Sequence, residues 1–204
     1  GQFRTTEFFD FAPNATTSIR LSHNGSWQDN VGNNGSEVSF PTRVNQLSVT
    51  EHSFGLRTTN YNRGLLNEFT AGFNYYADDS DPYTLLPGGS VRVGTEFSDG
   101  RTGLSSLSFG GGEGDYYEQT RSGEATNELS WLPNSGKHKV KFGGRVAFNH
   151  SNYFFFPGSP LLGTYTYLTI EDLAANRPAS YDRVLTNTPR NTDSRNSSLW
   201  VGDE

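Results

Sequence analysis

Hydrophobic and polar residues alternate over long stretches of this chain, most clearly from Glu124 to His150. In the second arm, His138, Val140, Phe142, Val146 and Phe148 share one parity, against Lys137, Lys139, Lys141, Arg145 and Asn149. In the first arm, Ala125, Leu129 and Trp131 oppose Glu124, Thr126, Glu128 and Ser130. Side chains on a strand point alternately to its two faces, so this is a two-faced hairpin. Pro133-Asn134-Ser135-Gly136 supplies its turn. The same period predicts strands at about 2–11, 16–27, 46–59, 65–76, 120–132 and 137–150, and the start of another at 197–204. Between Val49 and Phe54 the apolar phase slips, which predicts a bulge.

The connections between these strands are unequal. Turns near Pro13, Asn62 and Pro133 are a few residues long, whereas about 28–45, 78–119 and 151–196 are long loops. Val91, Val93, Leu104, Leu107 and Phe109 suggest a small hairpin inside the second loop. In the third, Thr169 can cap a helical turn with Glu171 and Asp172 in its first turn, ended at Asn176-Arg177-Pro178. Long structureless loops are uncommon in compact soluble domains. Strict alternation of short turns and long loops is the pattern of an outer-membrane barrel. Aromatics at the expected strand ends (Trp27, Tyr75-Tyr76, Trp131, Tyr153-Phe154, Trp200) suit interfacial girdles. The fold class expected is therefore all-β, an antiparallel transmembrane β-barrel segment of about seven strands with long extracellular loops. A soluble β-sandwich would instead have short loops at both ends.

Composition agrees. Of 204 residues only 32% are hydrophobic, yet 14% are aromatic and 23 are Gly, a bias toward strands and turns. No stretch is long and apolar enough for a spanning helix, but barrel strands show lipid only every second residue. The net charge of −6 argues against a nucleic-acid partner. With no cysteine, disulfides and thiolate chemistry are excluded. With no methionine even at position 1, the chain is expected to be processed or a fragment.

Asn127-Glu128-Leu129-Ser130-Trp131-Leu132, a short turn, then Lys137-His138-Lys139-Val140-Lys141-Phe142-Gly143-Gly144 resembles a recurrent hairpin of TonB-dependent outer-membrane receptors. The closest group is the Oar-like branch, whose members carry a carboxypeptidase-regulatory-like domain. Gly163–Tyr167 with Ile170–Tyr181 is similar to the loop that follows, Ser198–Glu204 to the next strand, and Asn67–Phe73 to an earlier one. The resemblance covers about Leu65 to the end. It implies that residues 1–204 are part of a roughly 22-stranded receptor barrel lacking its plug domain. It implies nutrient binding at the cell surface and import into the periplasm, with the TonB complex engaged through the missing plug region. The alternative is a non-transporting outer-membrane protein whose loops dock another envelope or surface protein.

On this reading Val140, Phe142, Val146 and Phe148 face outer-membrane lipid, while Lys139, Lys141 and Arg145 face the lumen, as polar filling or as an attractor of anionic substrate. Phe154, Phe155 and Phe156 are candidates for ligand or partner contact, or for an interfacial girdle. Asp78, Asp79 and Asp81 lack the spacing of a calcium loop and read as a solvated turn. Gly110–Gly114 lacks the Lys-Ser/Thr of a phosphate loop. His23, His52, His138 and His150 have no metal-ligand spacing. No catalytic residue, cofactor or metal site is expected, and the Asn-X-Ser/Thr matches, such as Asn34-Gly35-Ser36, are expected to go unused.

Overall fold

The computed structural model describes residues 1–31, 40–112, 116–133, 138–155, 162–186 and 188–203. In chain order the elements are β1 (Gln2–Asn14), β2 (Thr17–Val31), a single 3-10 turn (Pro41–Arg43), β3 (Asn45–Asn62) and β4 (Leu65–Pro82). Then follow β5 (Gly88–Glu96), β6 (Thr102–Gly110), β7 (Tyr116–Trp131) and β8 (Val140–Phe155). β9 (Thr164–Tyr167), α1 (Ile170–Ala174), β10 (Ser180–Asp182) and β11 (Arg190–Asp203) complete the chain.

Seven long strands form one sheet in the order β1-β2-β3-β4-β7-β8-β11. Every pairing in it is antiparallel. The sheet is open, with β1 and β11 at its edges. Its short connections all lie at one end. At the β3–β4 turn, Arg63 and Gly64 both adopt positive φ (47° and 82°). Such a pair makes the two-residue turn whose twist matches the flanking strands. At the β1–β2 turn, the Asn14 side-chain oxygen accepts from the Thr16 backbone N–H at 2.9 Å, a side-chain mimic of a turn hydrogen bond.

The strands run further toward the long loops than periodicity indicates. β4 continues to Pro82, so Asp78, Asp79 and Asp81 lie in a strand and not in a turn. β11 begins at Arg190, seven residues before Ser197. At the other end β8 starts at Val140, so His138 and Lys139 precede it. The expected bulge between Val49 and Phe54 is absent: β3 pairs without a break with β2 and with β4. The phase slips because Leu47 and Val49 lie on the polar face, beneath the outer loops, while Phe54 lies on the apolar one. Two facing solvents no longer dictate the alternation there. The irregularity falls instead in β1, between Phe11 and Asn14.

Backbone pairing lets large rings close over small neighbours. The Phe148 ring lies over Gly123, and a β-carbon there would sit 2.3 Å from it. Trp200 covers Gly143 in the same way. Such ring-over-glycine pairs protect the ladder where no side chain would otherwise pack.

The long connections fold onto one another. β5 and β6, from the β4–β7 connection, form the expected hairpin, with Val91 opposite Leu107. β9 and β10, from the β8–β11 connection, join it by parallel pairing of β9 with β5. Here lies the buried apolar core of the described residues: Val91 is 2% exposed and Tyr167 6%. α1 forms where its cap was expected, Thr169 Oγ1 accepting from the Asp172 N–H at 3.1 Å. This second sheet is tied to the segment leading into β3 by the Phe40 N–H, which donates to the Ser108 carbonyl of β6, while at the loop end of the large sheet buried Asn45 of β3 donates from Nδ2 to Ser80 Oγ of β4.

Candidate functional site

Register across the large sheet sorts its side chains into two faces. On one, Phe9, Leu21, Leu56, Ala71, Ala125 and Val146 stand in a single row across six strands. Val140, Phe142, Val146 and Phe148 all occur on this face. Their exposure is high: 58% for Phe142 and Val146, 46% for Phe148. From Val140 to Phe148 is about 27 Å of strand at ~3.4 Å per residue. Tilted by about 35–45°, that covers about 20 Å of a bilayer normal, close to the ~25 Å apolar band of outer-membrane barrels.

The other face is polar. Asn24, Ser53, Asn74, Ser122, Asn149 and Ser194 form a row in register. Ser53 Oγ donates to Asn74 Oδ1 at 2.8 Å. Three arginines on this face are paired with carboxylates: Arg20 bidentately with Asp10 (2.6 and 2.9 Å), Arg57 with Glu68 (3.2 Å) and Arg145 with Glu124 (2.5 Å). Arg145 and Lys141 are both on this face, and Lys139 shares their parity just before β8. Of the expected girdle aromatics, Trp27, Tyr75, Trp131 and Phe154 are on the apolar face. Tyr76, Tyr153 and Trp200 are on the polar one, where Trp200 Nε1 donates to Glu128 at 3.3 Å. Alternation explains this: adjacent aromatics such as Tyr75 and Tyr76 cannot share a face.

Toward the long loops the polar face turns acidic and tyrosine-rich. Tyr76 donates to Asp78 at 3.1 Å and Tyr116 to Glu118 at 2.5 Å, and Tyr116 packs edge-on against Tyr153. Beyond the apolar band, burial holds the Asp79 carboxyl above the usual carboxylate range, and Asp81 and Asp78 push it the same way.

Sequence spacing gave no hint that two histidines meet. On the apolar face, His23 Nε2 and His52 Nδ1 are 3.0 Å apart, and Glu7 is 3.6 Å from His23 Nδ1. Only strand register could have revealed the pair, since β2 and β3 place His23 one step diagonally from His52. In the same region Gln119 Nε2 donates to the Tyr75 hydroxyl (2.9 Å), the Arg121 guanidinium sits 5.9 Å over the Tyr75 ring, and His150 pairs with Asp193 (2.8 Å). Among the described residues no group of three or more His, Asp or Glu could hold a metal ion.

Phe154 is opposite Tyr117 at the loop end of the apolar face. Phe156, the Phe155 side chain, Lys137, the turn beyond Pro133 and the Asn34-Gly35-Ser36 match lie outside the described residues.

An antiparallel sheet with one exposed apolar face, one polar face, short turns at one end and long loops at the other is the wall of a bacterial outer-membrane β-barrel. The chain belongs to the outer membrane beta barrel domain family, whose model matches residues 8–204, and it is an outer-membrane protein. In fold it is similar to the outer membrane transporter YddB from Escherichia coli, with a TM-score of 0.62, 12% identity and 97% of this chain covered. The chain spans about a quarter of that transporter, 24% of its length. No curated protein matches the sequence significantly.

Proposed function

We propose that this chain is wall and outer loops of a TonB-dependent receptor of the Oar-like branch, which binds a nutrient at the cell surface and imports it into the periplasm. The observation that carries the reading is the polar face, a continuous hydroxyl and amide surface backed by an exposed apolar one. Such a wall encloses water inside lipid. Both open edges, on β1 and β11, carry unpaired backbone groups that hydrocarbon does not tolerate, so further strands pair with them in the membrane. Val140, Phe142, Val146 and Phe148 then meet lipid, and Lys139, Lys141 and Arg145 meet the lumen. The sequence resemblance from Leu65 onward supports the receptor branch. The likeness to an outer membrane transporter supports the architecture.

A second reading is favoured by exposed apolar residues on the outer connections, Tyr83 at 64%, Leu85 at 62% and Leu185 at 82%. In it, these loops dock an envelope or surface partner and nothing is transported. Growth on a limiting nutrient separates the two. A strain lacking the gene should lose uptake of a specific nutrient, and loss of TonB should abolish the same uptake. If deletion leaves every TonB-dependent uptake intact, the docking reading replaces the transport one.

A further inference from the structure

Of the outer sheet's two edge strands, β10 is three residues long and carries Asp182, whereas β6 runs for nine residues. β6 reads Thr-Gly-Leu-Ser-Ser-Leu-Ser-Phe-Gly and pairs with β5 without a break in register. Charges, prolines, bulges and short length are what normally keep a sheet edge from taking up another strand, and β6 has none of them. The hairpin's hydrogen bonds fix which groups this edge offers. Phe97 N–H donates to Arg101 C=O, and Gly111 N–H to Pro87 C=O. Bonded pairs alternate with non-bonded ones along an antiparallel ladder, so Gly103, Ser105, Leu107 and Phe109 bond to β5. The N–H and C=O groups of Thr102, Leu104, Ser106 and Ser108 therefore point away from it. Ser108 accepts a backbone hydrogen bond on that side, from Phe40 N–H at 3.1 Å. Among the described residues nothing pairs with the outward groups of the other three. Leu104 is 74% exposed, and a β-carbon on Gly94 opposite it would meet nothing within 4 Å.

We propose that the free edge of β6 is a docking site for an extended segment of a partner protein, which adds a further strand to the outer sheet. The proposal rests on the long connections lying outside the cell, which both readings above share. The outward backbone groups of Thr102, Leu104 and Ser106 hold the incoming strand, and alternate side chains set its preference. The Ser108–Phe40 bond shows that this edge takes a backbone donor from a passing segment. With no charge on β6 there is none for the partner strand to match, and Leu104, beside the open space at Gly94, favours an apolar or β-branched side chain facing it.

The test uses the full-length protein in neutral detergent micelles and a fluorescein-labelled peptide, Ser-Thr-Val-Thr-Val-Thr-Ser-amide, read by fluorescence anisotropy. The parent should bind it at least about tenfold more tightly than the same peptide N-methylated at every Thr and Val, which keeps the side chains and loses the donors. Leu104→Pro should weaken binding about tenfold, because it removes an outward N–H and obstructs the approach of a strand. The bonds to β5 do not use that N–H, so hydrogen exchange of residues 88–96 should match the parent. Leu104→Ala leaves the backbone intact and should stay within about threefold of the parent. If Leu104→Pro disturbs that exchange, the comparison of the two peptides decides alone. Equal binding of the two peptides, binding of neither, or equal losses in Leu104→Pro and Leu104→Ala overturns strand addition. If the parent instead forms dimers that Leu104→Pro disperses, the occupant is a second copy and the partner assignment falls. Binding to the purified protein but not to intact cells displaying it sinks the outward placement of the long connections and leaves the edge standing.

Discussion

The two sheets use the same residue types in opposite ways. In the small outer sheet, Val91 is 2% exposed and packs against protein. In the large sheet, Val146, in the same strand conformation, is 58% exposed. A buried valine side chain is worth roughly 1.5–3 kcal/mol over an exposed one in water. The large sheet forgoes this at many positions on one face and is stable only if another apolar medium covers them. One sheet carries its own core; the other leaves an apolar face exposed, the face we propose meets lipid. The difference shows that burial within a chain and hydrophobic stabilisation are separate quantities, and that long alternation without a core is itself a signal of solvent.

Substitutions in each sheet test that contrast. The largest effect is expected for Val91→Asp, which puts a charge with no partner into the outer sheet's core. We expect a loss of about 3–5 kcal/mol, read as protease sensitivity of residues 88–110 with the wall still folded. Val146→Arg should cost about 2–4 kcal/mol when folding is measured in lipid vesicles. If Val146→Arg is no worse than Lys141→Gln, expected below about 1 kcal/mol, the two faces have been assigned the wrong way round. Thr169→Ala removes the cap of α1 and should destabilise the outer sheet by about 1 kcal/mol, a local change visible in hydrogen exchange of residues 164–182. Asp79→Asn should have the smallest effect and the opposite sign. The folded-state pKa of Asp79 is raised, so its carboxylate opposes folding at neutral pH, and that opposition fades as pH falls through the folded value toward the unfolded one of about 4. The variant should therefore exceed the parent in stability at pH 7 and match it below pH 4.

Much of the wall was legible in the sequence because an apolar face backed by a polar one imposes a period of two. Strand identity, the hairpin at Glu124–His150 and the separation of Val140, Phe142, Val146 and Phe148 from Lys141 and Arg145 all follow from that period. Where the constraint ends, legibility ends. The outward halves of β4 and β11, around Asp78–Asp81 and Arg190–Asn196, are strands held by backbone pairing with neighbours, and their polar composition resembles that of loops. The α1 cap was legible because Thr169 satisfies a local rule. The pairing of β9 with β5, the His23–His52 contact and the Arg121 surroundings were not. Each depends on register between segments distant in sequence, which composition and spacing do not encode.

The parallel pairing of β9 with β5 also has a kinetic meaning. β6, β7 and β8 lie between these two strands in the chain, so their pairing closes a loop of more than sixty residues. Its contacts span long sequence separations, and such contacts form late. Completion of the outer sheet is therefore expected among the slow steps of folding, read as late protection of residues 164–167 in pulsed hydrogen exchange.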